Sequence, residues 1–184
     1  MTVYIVLLRG INVGGHNKIA MTDLRKMFAE FGFLDVITYI QSGNVVFNSE
    51  VKEPSLIEKT IKQGIREKFS LNIEAIAKSR EELSKIIGST PFKETNISKG
   101  EKIYLTILSK KPSDDLLEKL RKVESEGDKI MVEDKTAYIL CKKGYSKSVY
   151  NNNFIERTLN VIATSRNFQT MKKLTELGTN LANS

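Results

Sequence analysis

The segment VYIVLLRGINVGGHNK, residues 3–18, decides the fold of this chain and contains its most unusual loop. Its first part, Val3–Leu8, is apolar and rich in β-branched side chains, which predicts a strand in the middle of a sheet. Gly10 then begins a connection that runs to Met21 and contains two further glycines. Most connections between a strand and a helix have about 2 to 6 residues, and longer ones are often functional. The sequence therefore predicts a central strand followed by a functional loop.

The elements that follow this segment alternate between helical and strand patterns up to residue 78. They are a helix capped by Thr22 or Asp23, a strand at Val36–Ile40, a strand at Val45–Phe47, a helix that begins with the capping box Ser55-x-x-Glu58, and a strand at Ile73–Ala77. The order β-α-β-β-α-β is that of a ferredoxin-like unit.

The rest of the chain repeats most of this order. A second capping box, Ser79-x-x-Glu82, begins a short helix, and Val161–Ala163 supplies a short last strand before an amphipathic final helix. The predicted fold class is α+β, with two tandem ferredoxin-like (α-β plait) units and additional helices. We expect an N-terminal domain at residues 1–90, with the glycine-rich loop, and a C-terminal domain at residues 91–184, with a basic terminal helix.

The composition is that of a soluble globular protein, with 184 residues of which 40% are hydrophobic and 28% charged. One cysteine and one histidine cannot build a structural zinc site, so we predict neither a metal nor a cofactor. Cys141 has no disulfide partner, which favours a reducing, cytoplasmic location. The apolar N-terminal stretch is too short to span a bilayer and lacks the features of a signal peptide, so no membrane association is expected.

The net charge of +7 is concentrated near the C-terminus, where residues 142–184 carry seven basic and two acidic side chains. A basic segment can attract phosphates or nucleic acid, although a solvated basic surface has the same composition. An RNA- or DNA-binding module is therefore one alternative. RNA-recognition motifs have a basic-Gly-aromatic opening on the third strand, and residues 42–47 lack it.

The glycine-rich loop has the chemistry of an anion site. Arg9 and Lys18 supply positive charge, and Asn12 has both a donor and an acceptor with which to orient a ligand. Gly14 and Gly15 allow backbone N–H groups to approach it closely. The glycine spacing matches the first half of a P-loop, but the Lys-Ser/Thr half is absent, which excludes an ordinary nucleoside triphosphatase.

The turn between the second and third predicted strands contributes Gln41, Ser42 and Asn44 as further candidate binding residues. Serine, glycine and asparagine are common in ordinary turns, whereas Gln41 is not needed for one. In a ferredoxin-like unit we expect this turn and the loop after the first strand to lie at opposite ends of the sheet. A combined site would then require the loop to fold back.

Arg166 and Asn167 lie just before the final predicted helix. Thr164 or Ser165 would cap this helix, and exposed N–H groups beside Arg166 would bind an anion. The same residues also fit a plain helix cap with an arginine at the surface. The sequence leaves both interpretations open.

The segment at residues 3–18, YIQSGNVVF at residues 39–47 and ATSRNF at residues 163–168 together closely resemble an uncharacterised bacterial domain-of-unknown-function family that includes streptococcal structural-genomics targets. The resemblance spans nearly the whole chain and implies two ferredoxin-like domains, but no established activity. The motif residues of the family correspond to Arg9, Asn12, Gly14, Gly15, Lys18, Gln41, Ser42, Asn44, Arg166 and Asn167. Phe168 stands where relatives often have tryptophan.

Three functional hypotheses follow. The first is a protein that binds a small anionic ligand, phosphorylated or nucleotide-like, through the glycine-rich loop, with Arg166 joining if the final helix folds back. The second is an RNA- or DNA-binding module that uses the basic C-terminal quarter. The third is a protein-interaction module that uses the loops or the sheet edges. The sequence leaves open whether the chain is an enzyme and which oligomeric state it has.

Overall fold

A computed structural model describes residues 1–183 of the chain. These residues form two four-stranded antiparallel sheets and six α-helices. The chain divides into two compact units: one contains Met1–Lys85 and the residues from Lys172 onward, and the other contains Ile86–Met171. The predicted α+β class is confirmed, and the two sheets are consistent with two tandem α/β units. The domain boundary between residues 90 and 91 stays a prediction.

The sheet of the first unit has the strand order β2-β3-β1-β4. Its elements are β1 (Thr2–Leu8), α1 (Met21–Glu30), β2 (Leu34–Tyr39), β3 (Asn44–Ser49), α2 (Pro54–Phe69) and β4 (Ala75–Ser79), followed by α3 (Arg80–Gly88). β1 lies between β3 and β4, and its residues from Val3 onward are buried, as the apolar sequence predicts.

The sheet of the second unit has the order β6-β7-β5-β8, so its first strand is again central. Its elements are β5 (Lys102–Leu108), α4 (Asp114–Arg121), β6 (Lys129–Glu133), β7 (Thr136–Cys141), α5 (Asn152–Leu159) and β8 (Ala163–Asn167). The next helix along the chain is α6 (Phe168–Ala182), which belongs to the first unit from Lys172 onward. Short 3-10 turns lie at Glu94–Asn96 and Tyr145–Lys147.

Each unit has its own hydrophobic core between one sheet face and its helices. In the first unit, α1 and α2 pack against β1 and β3, and the rings of Phe28, Phe33 and Phe47 form a cluster with centroids 4.5–5.6 Å apart. In the second unit, Leu120 of α4 and Ile155 of α5 contribute to a core that also includes β7. The amphipathic patterns therefore identify helix faces that are buried within each unit.

The two predicted capping boxes have different outcomes. Ser79 and Glu82 form theirs, because the Glu82 carboxylate accepts from the Ser79 N–H at 2.9 Å and the Ser79 hydroxyl accepts from the Glu82 N–H at 3.1 Å. The box at Ser55 and Glu58 is wrong. That box requires a helix that begins at Leu56, whereas α2 begins two residues earlier, at Pro54, and no side chain caps its N-terminus.

The end of the second unit also differs from the prediction. Thr164 and Ser165 were expected to cap the final helix, but they belong to β8, and α6 begins at Phe168. The reason is pairing with β5, in which Ser165 lies opposite Thr106 and the two hydroxyl oxygens are 2.6 Å apart. A polar segment thus becomes a strand because a neighbouring strand satisfies its backbone and side chains.

A glutamate from a helix binds an edge strand in each unit. Glu58 of α2 accepts a hydrogen bond from the Ala77 N–H of β4 at 2.8 Å. Glu156 of α5 accepts one from the Ala163 N–H of β8 at 2.9 Å. Both amides are in buried residues, so the carboxylates satisfy donors that would otherwise be costly to bury.

Candidate functional site

The loop after β1 and the turn between β2 and β3 lie at the same end of the first sheet. β1 is antiparallel to β3, pairing Thr2 with Ser49 and Leu7 with Asn44, so the end of β1 meets the start of β3. The Leu8 N–H donates to the Gly43 carbonyl at 2.8 Å. The expectation of opposite ends is therefore wrong, because it did not take account of the antiparallel neighbour.

The side chain of Asn12 holds the loop and the turn together. Its amide nitrogen donates to the Ile19 carbonyl at 3.0 Å and to the Gln41 carbonyl at 2.9 Å. Its amide oxygen accepts from the Ile19 N–H at 2.9 Å. The residue itself has a φ of 53°, which asparagine tolerates better than most side chains. Asn12 thus connects the two ends of the loop and ties them to the turn.

Gly43 allows the turn to pack directly against the loop. A Cβ atom at this position would lie 2.7 Å from Ile11 Cδ1 and 2.8 Å from Leu8 Cβ, and φ is +77°. Ile11 is completely buried at this contact. The two motifs recognised in the sequence are therefore parts of one packed structure, although neither Gly43 nor Ile11 was among the predicted site residues.

A pocket of about 470 Å³ lies where the loop meets the start of α1. Its lining consists of Asn12, Gly15, Lys18, Ile19, Ala20 and Gln41. The helix begins with Ala20 as its N-cap residue, and no side chain caps it. The prediction that Thr22 or Asp23 caps this helix is therefore wrong. The first N–H groups of a helix have no partner within the helix, so this end of α1 is suited to a negative charge.

Besides Asn12, which also lines the pocket, the predicted binding residues of the first unit divide into three groups. Lys18, Gly15 and Gln41 are exposed and line the pocket, and Lys18 forms no ion pair with a described residue. Arg9 and Gly14 belong to the same loop but not to this lining. Asn44 is buried, and its amide donates to the Tyr39 carbonyl and to the Ser42 hydroxyl, which closes the turn.

Arg166 and Asn167 lie in the second unit, on β8. The Arg166 guanidinium donates to the Thr164 hydroxyl at 2.8 Å and to the Ser165 carbonyl at 2.9 Å. Burial lowers the pKa of Arg166 to about 10, so the group still carries its charge at neutral pH. The Asn167 side chain accepts from the Gln169 N–H at 2.9 Å and thereby binds the first turn of α6.

A cluster of polar side chains in the second unit was not detected from the sequence. Ser165 Oγ lies 2.5 Å from both Tyr145 Oη and Asn152 Oδ1, and 2.6 Å from Thr106 Oγ1. Burial raises the pKa of Tyr145, so its phenol is protonated at neutral pH and donates within the cluster. The four residues come from β5, β8, α5 and a 3-10 turn. Their positions along the sequence follow no regular spacing that could have revealed the cluster.

Residues 1–183 contain no group of three or more His, Cys, Asp or Glu side chains that could hold a metal ion. Burial raises the pKa of the Cys141 thiol to about 11, so this cysteine is not a thiolate at neutral pH. Among the described helices, none is both long and apolar enough to cross a membrane.

Comparison with known proteins identifies the family of the chain. It matches a solved structure, that of the conserved bacterial protein SP0830 from Streptococcus pneumoniae, with a TM-score of 0.76 and 22% sequence identity. The match covers 96% of this chain and 98% of the other. No curated protein matches. The family model described as "Protein of unknown function (DUF1697)" matches residues 1–138, which confirms the resemblance to an uncharacterised bacterial family, and the chain therefore belongs to the DUF1697 family.

Proposed function

We propose that the chain binds a small anionic ligand, phosphorylated or nucleotide-like, in the pocket between the glycine-rich loop and the N-terminus of α1. The observation that carries this proposal is the lining, which combines Lys18, Gly15 and the uncapped start of the helix in one open, shallow pocket of about 470 Å³. Pockets of about 300–1,000 Å³ are typical of small-molecule sites.

The charges around the pocket support an anion. Lys18 is the charged residue of the lining, and no acidic residue contributes to it. The N-terminus of a helix carries roughly half a positive elementary charge. Asp23 in the first turn of α1 favours the helix itself and reduces the local positive potential, which makes Lys18 the decisive group.

The remaining lining residues have different roles, since Asn12 prepares the pocket whereas Gly15 and Gln41 can contact the ligand. Asn12 uses both amide hydrogens on backbone carbonyls, and so acts by fixing Ile19 and Gln41. Gly15 has a φ of +81° and no atom near the position of a Cβ, which leaves room for close approach to its backbone. The exposed amide of Gln41 is then available to select among anions.

The experiment is thermal unfolding with inorganic phosphate, pyrophosphate, adenosine monophosphate and short single-stranded oligonucleotides. A ligand at about 100 times its Kd adds about 2.7 kcal/mol to stability. We expect a small anion to raise Tm, and Lys18→Ala to abolish the shift. Lys26→Ala, an exposed lysine on α1 outside the lining, removes the same charge and should keep it. A shift that survives in Lys18→Ala contradicts the proposal.

Nucleic-acid binding has weaker support. Of the basic residues near the C-terminus, Arg166 is buried, Lys143 pairs with Glu126 and Lys173 pairs with Glu176. A shift produced by oligonucleotides alone, and lost between about 50 and 200 mM salt, would favour this alternative over the loop pocket.

We also propose that both units are ferredoxin-like. The strand orders β2-β3-β1-β4 and β6-β7-β5-β8, together with the β-α-β-β-α-β sequence of elements, support this assignment. A reducing, cytoplasmic location is part of the proposal, since Cys141 is a free, buried thiol.

A further inference from the structure

The edges of the two sheets are protected to different degrees. In the described chain the edge strands are β2 and β4 of the first sheet and β6 and β8 of the second. An exposed edge presents unpaired N–H and C=O groups to any other extended chain, and proteins usually block it. On β4 and β8, the carboxylates of Glu58 and Glu156 each occupy a backbone N–H, and a new strand would have to displace them.

The other two edges differ in regularity. The pairing of β2 with β3 shifts register between Leu34 and Ile37, and such an irregular edge is a poor template for another strand. β6 pairs with β7 through five consecutive residue pairs with no shift. No side chain within residues 1–183 hydrogen-bonds the backbone of Lys129–Glu133. Because a strand with one neighbour uses only half of its backbone groups in pairing, β6 is a regular edge that stays open.

The sequence of β6 is complementary to itself in the antiparallel direction. Lys129–Glu133 has a basic residue at one end, an acidic residue at the other and Met131 at its centre. In an antiparallel pair of two copies centred on Met131, Lys129 of each copy lies opposite Glu133 of the other, on the same face of the sheet. The neighbouring registers that keep the faces aligned set Lys129 opposite Lys135 or Met131 instead, and so lose both ion pairs.

The side chains that this pairing uses are available on the surface. Lys129 and Glu133 are exposed, and neither forms an ion pair or a hydrogen bond with a described residue. Met131 lies between them in the strand and is 51% exposed. Arg121, a further charged residue beside this edge, is already paired with Glu118 of its own helix. A second copy would therefore cover an exposed methionine and complete two ion pairs.

The like charges that this pairing brings nearest lie beyond the ends of the strand. Asp128 precedes β6 and would approach Asp134 of the second copy. The Asp128 carboxylate accepts from the Lys142 N–H at 2.8 Å, so its own chain holds it. Asp134 is exposed in the turn after β6, where water and salt screen its charge. The directly opposed pairs of lysine and glutamate therefore determine the sign of the interaction.

The apolar side of the same edge is also complementary to itself. A groove of about 480 Å³ lies between β6 and α4, and Ile130 and Val132 contribute to the core on this side of the sheet. In the antiparallel pair, Ile130 lies opposite Val132 of the second copy, so the apolar side chains of the two copies meet at the groove. The full lining consists of Leu117, Leu120, Arg121, Lys129, Ile130, Met131, Val132 and Tyr150.

We propose that β6 pairs antiparallel with β6 of a second copy of this chain, about a twofold axis at Met131, so that two four-stranded sheets become one continuous sheet. Main-chain hydrogen bonds hold the two edges together, and the pairs of Lys129 with Glu133 fix the register. Two five-residue strands form a small interface, so the dimer is weak and depends on protein concentration. The surface lies within the second unit and does not depend on the loop pocket of the first.

The test measures association by sedimentation velocity between about 10 and 500 µM protein, with hydrogen–deuterium exchange to locate the contact. We expect the mean mass to rise with concentration, and amides within Lys129–Glu133 to exchange more slowly in the dimer. Lys129→Glu and Glu133→Lys each oppose like charges at two symmetric positions, so each should raise the dimer Kd at least about fivefold. Lys59→Glu, at an exposed position of α2, is the matched control and should change the Kd by less than about twofold.

Mixing the two single variants distinguishes this pairing from any other contact. The mixed pair again sets glutamate opposite lysine at both positions, so the mixture should associate more tightly than either variant alone. Three results would overturn the proposal. The first is a monomer at every concentration, which would leave the edge to an extended segment of another protein. The second is a dimer that neither single substitution weakens, or whose protected amides lie outside β6. The third is a mixture that associates no better than its components.

Discussion

Gly43 shows how a residue without a side chain determines the structure of the candidate site. The sequence indicated a turn at this point, and turns commonly contain glycine. The structure adds that Ile11 and Leu8 occupy the space where a Cβ would lie. This close approach joins residues more than 30 positions apart, so no local pattern could have revealed it.

We expect Gly43→Ala to destabilise the chain more than Gly15→Ala. Both glycines have positive φ, so both alanines carry the backbone strain of about 1–2 kcal/mol. Only the alanine at position 43 meets neighbouring atoms, which adds about 1–3 kcal/mol of overpacking. Urea unfolding of the two variants measures the difference, and equal free energies of unfolding would mean that Ile11 moves aside without cost.

Asn12 and Arg166 show which properties of the candidate site residues can be predicted from the sequence and which cannot. The sequence singled out both as candidate binding residues because of their chemistry. It did not reveal that Asn12 donates to two backbone carbonyls or that Arg166 is buried on a strand. Such properties depend on neighbours brought together by the fold. Lys18 and Gly15 line the pocket because they lie within the loop that the sequence already singled out.

Among the helices and strands, the same Ser-x-x-Glu motif forms a capping box at Ser79 and does not form one at Ser55. At Ser79, β4 ends where α3 begins, so the serine has the extended conformation that a cap requires. At Ser55, the preceding Pro54 already occupies the first turn of α2, and Glu58 is bound to Ala77 instead of to the helix start. Tertiary contact thus decided between two segments that have the same local signal.

We predict that Ser79→Ala lowers the free energy of unfolding by about 1 kcal/mol, because it removes a cap. Ser55→Ala should change it by less than about 0.5 kcal/mol, since this exposed hydroxyl contacts only the Glu53 side chain. Chemical denaturation of the two variants provides the comparison. A cost at Ser55 equal to that at Ser79 would indicate that the cap at Ser79 contributes nothing specific.

Most strands and helices could be predicted because their apolar periodicity is strong, as in β1 and α2. β8 was predicted only in part, as a short strand at Val161–Ala163 that overlaps Ala163–Asn167 in one residue, since Thr164–Asn167 is polar and resembles a helix cap in sequence. Its strand conformation depends on β5, about 60 residues earlier in the chain. Elements that a partner strand stabilises, rather than their own pattern, are those that a single sequence misses.

In the whole molecule, the order of strands places the glycine-rich loop and the turn between β2 and β3 at the same end of the first sheet. The sequence had predicted opposite ends. The order of elements was readable from the sequence, whereas the position of the loop relative to the turn required the pairing of β1 with β3. The candidate pocket is a consequence of this topology. It could be assigned only once the neighbours of the central strand were known.

Global stability should decline in alkaline solution, because β7 carries groups that are buried in their neutral form. Burial raises the pKa of Cys141 from 9.0 to about 11 and that of Tyr138 from 10.0 to about 12. Above pH 9 the unfolded chain releases the Cys141 proton while the folded chain retains it. The contribution of the neutral Cys141 thiol to the free energy of unfolding is therefore complete below pH 9, and it is lost as the pH rises towards 11.

The variant Cys141→Ala isolates this contribution. The substitution leaves a small cavity that lowers stability equally at every pH, so the slope and not the absolute value is informative. We expect the free energy of unfolding to fall less steeply for the variant than for the unsubstituted chain between pH 9 and 11. Parallel slopes would show that the thiol ionises equally readily in the folded and unfolded states.

The carboxylates of Glu58 and Glu156 do not bind equivalent points of their units. Ala163 lies opposite Leu108, whereas Ala77 lies two residues beyond Ala75, the residue opposite Leu8. Equivalent points are instead marked by the backbone: the Leu8 N–H donates to the Gly43 carbonyl, and the Leu108 N–H donates to the Lys135 carbonyl. The helices that follow the third strand of each sheet differ in length, since α2 has 16 residues and α5 has 8. A duplicated origin should therefore be sought by matching these backbone hydrogen bonds, with the helix lengths left free to differ.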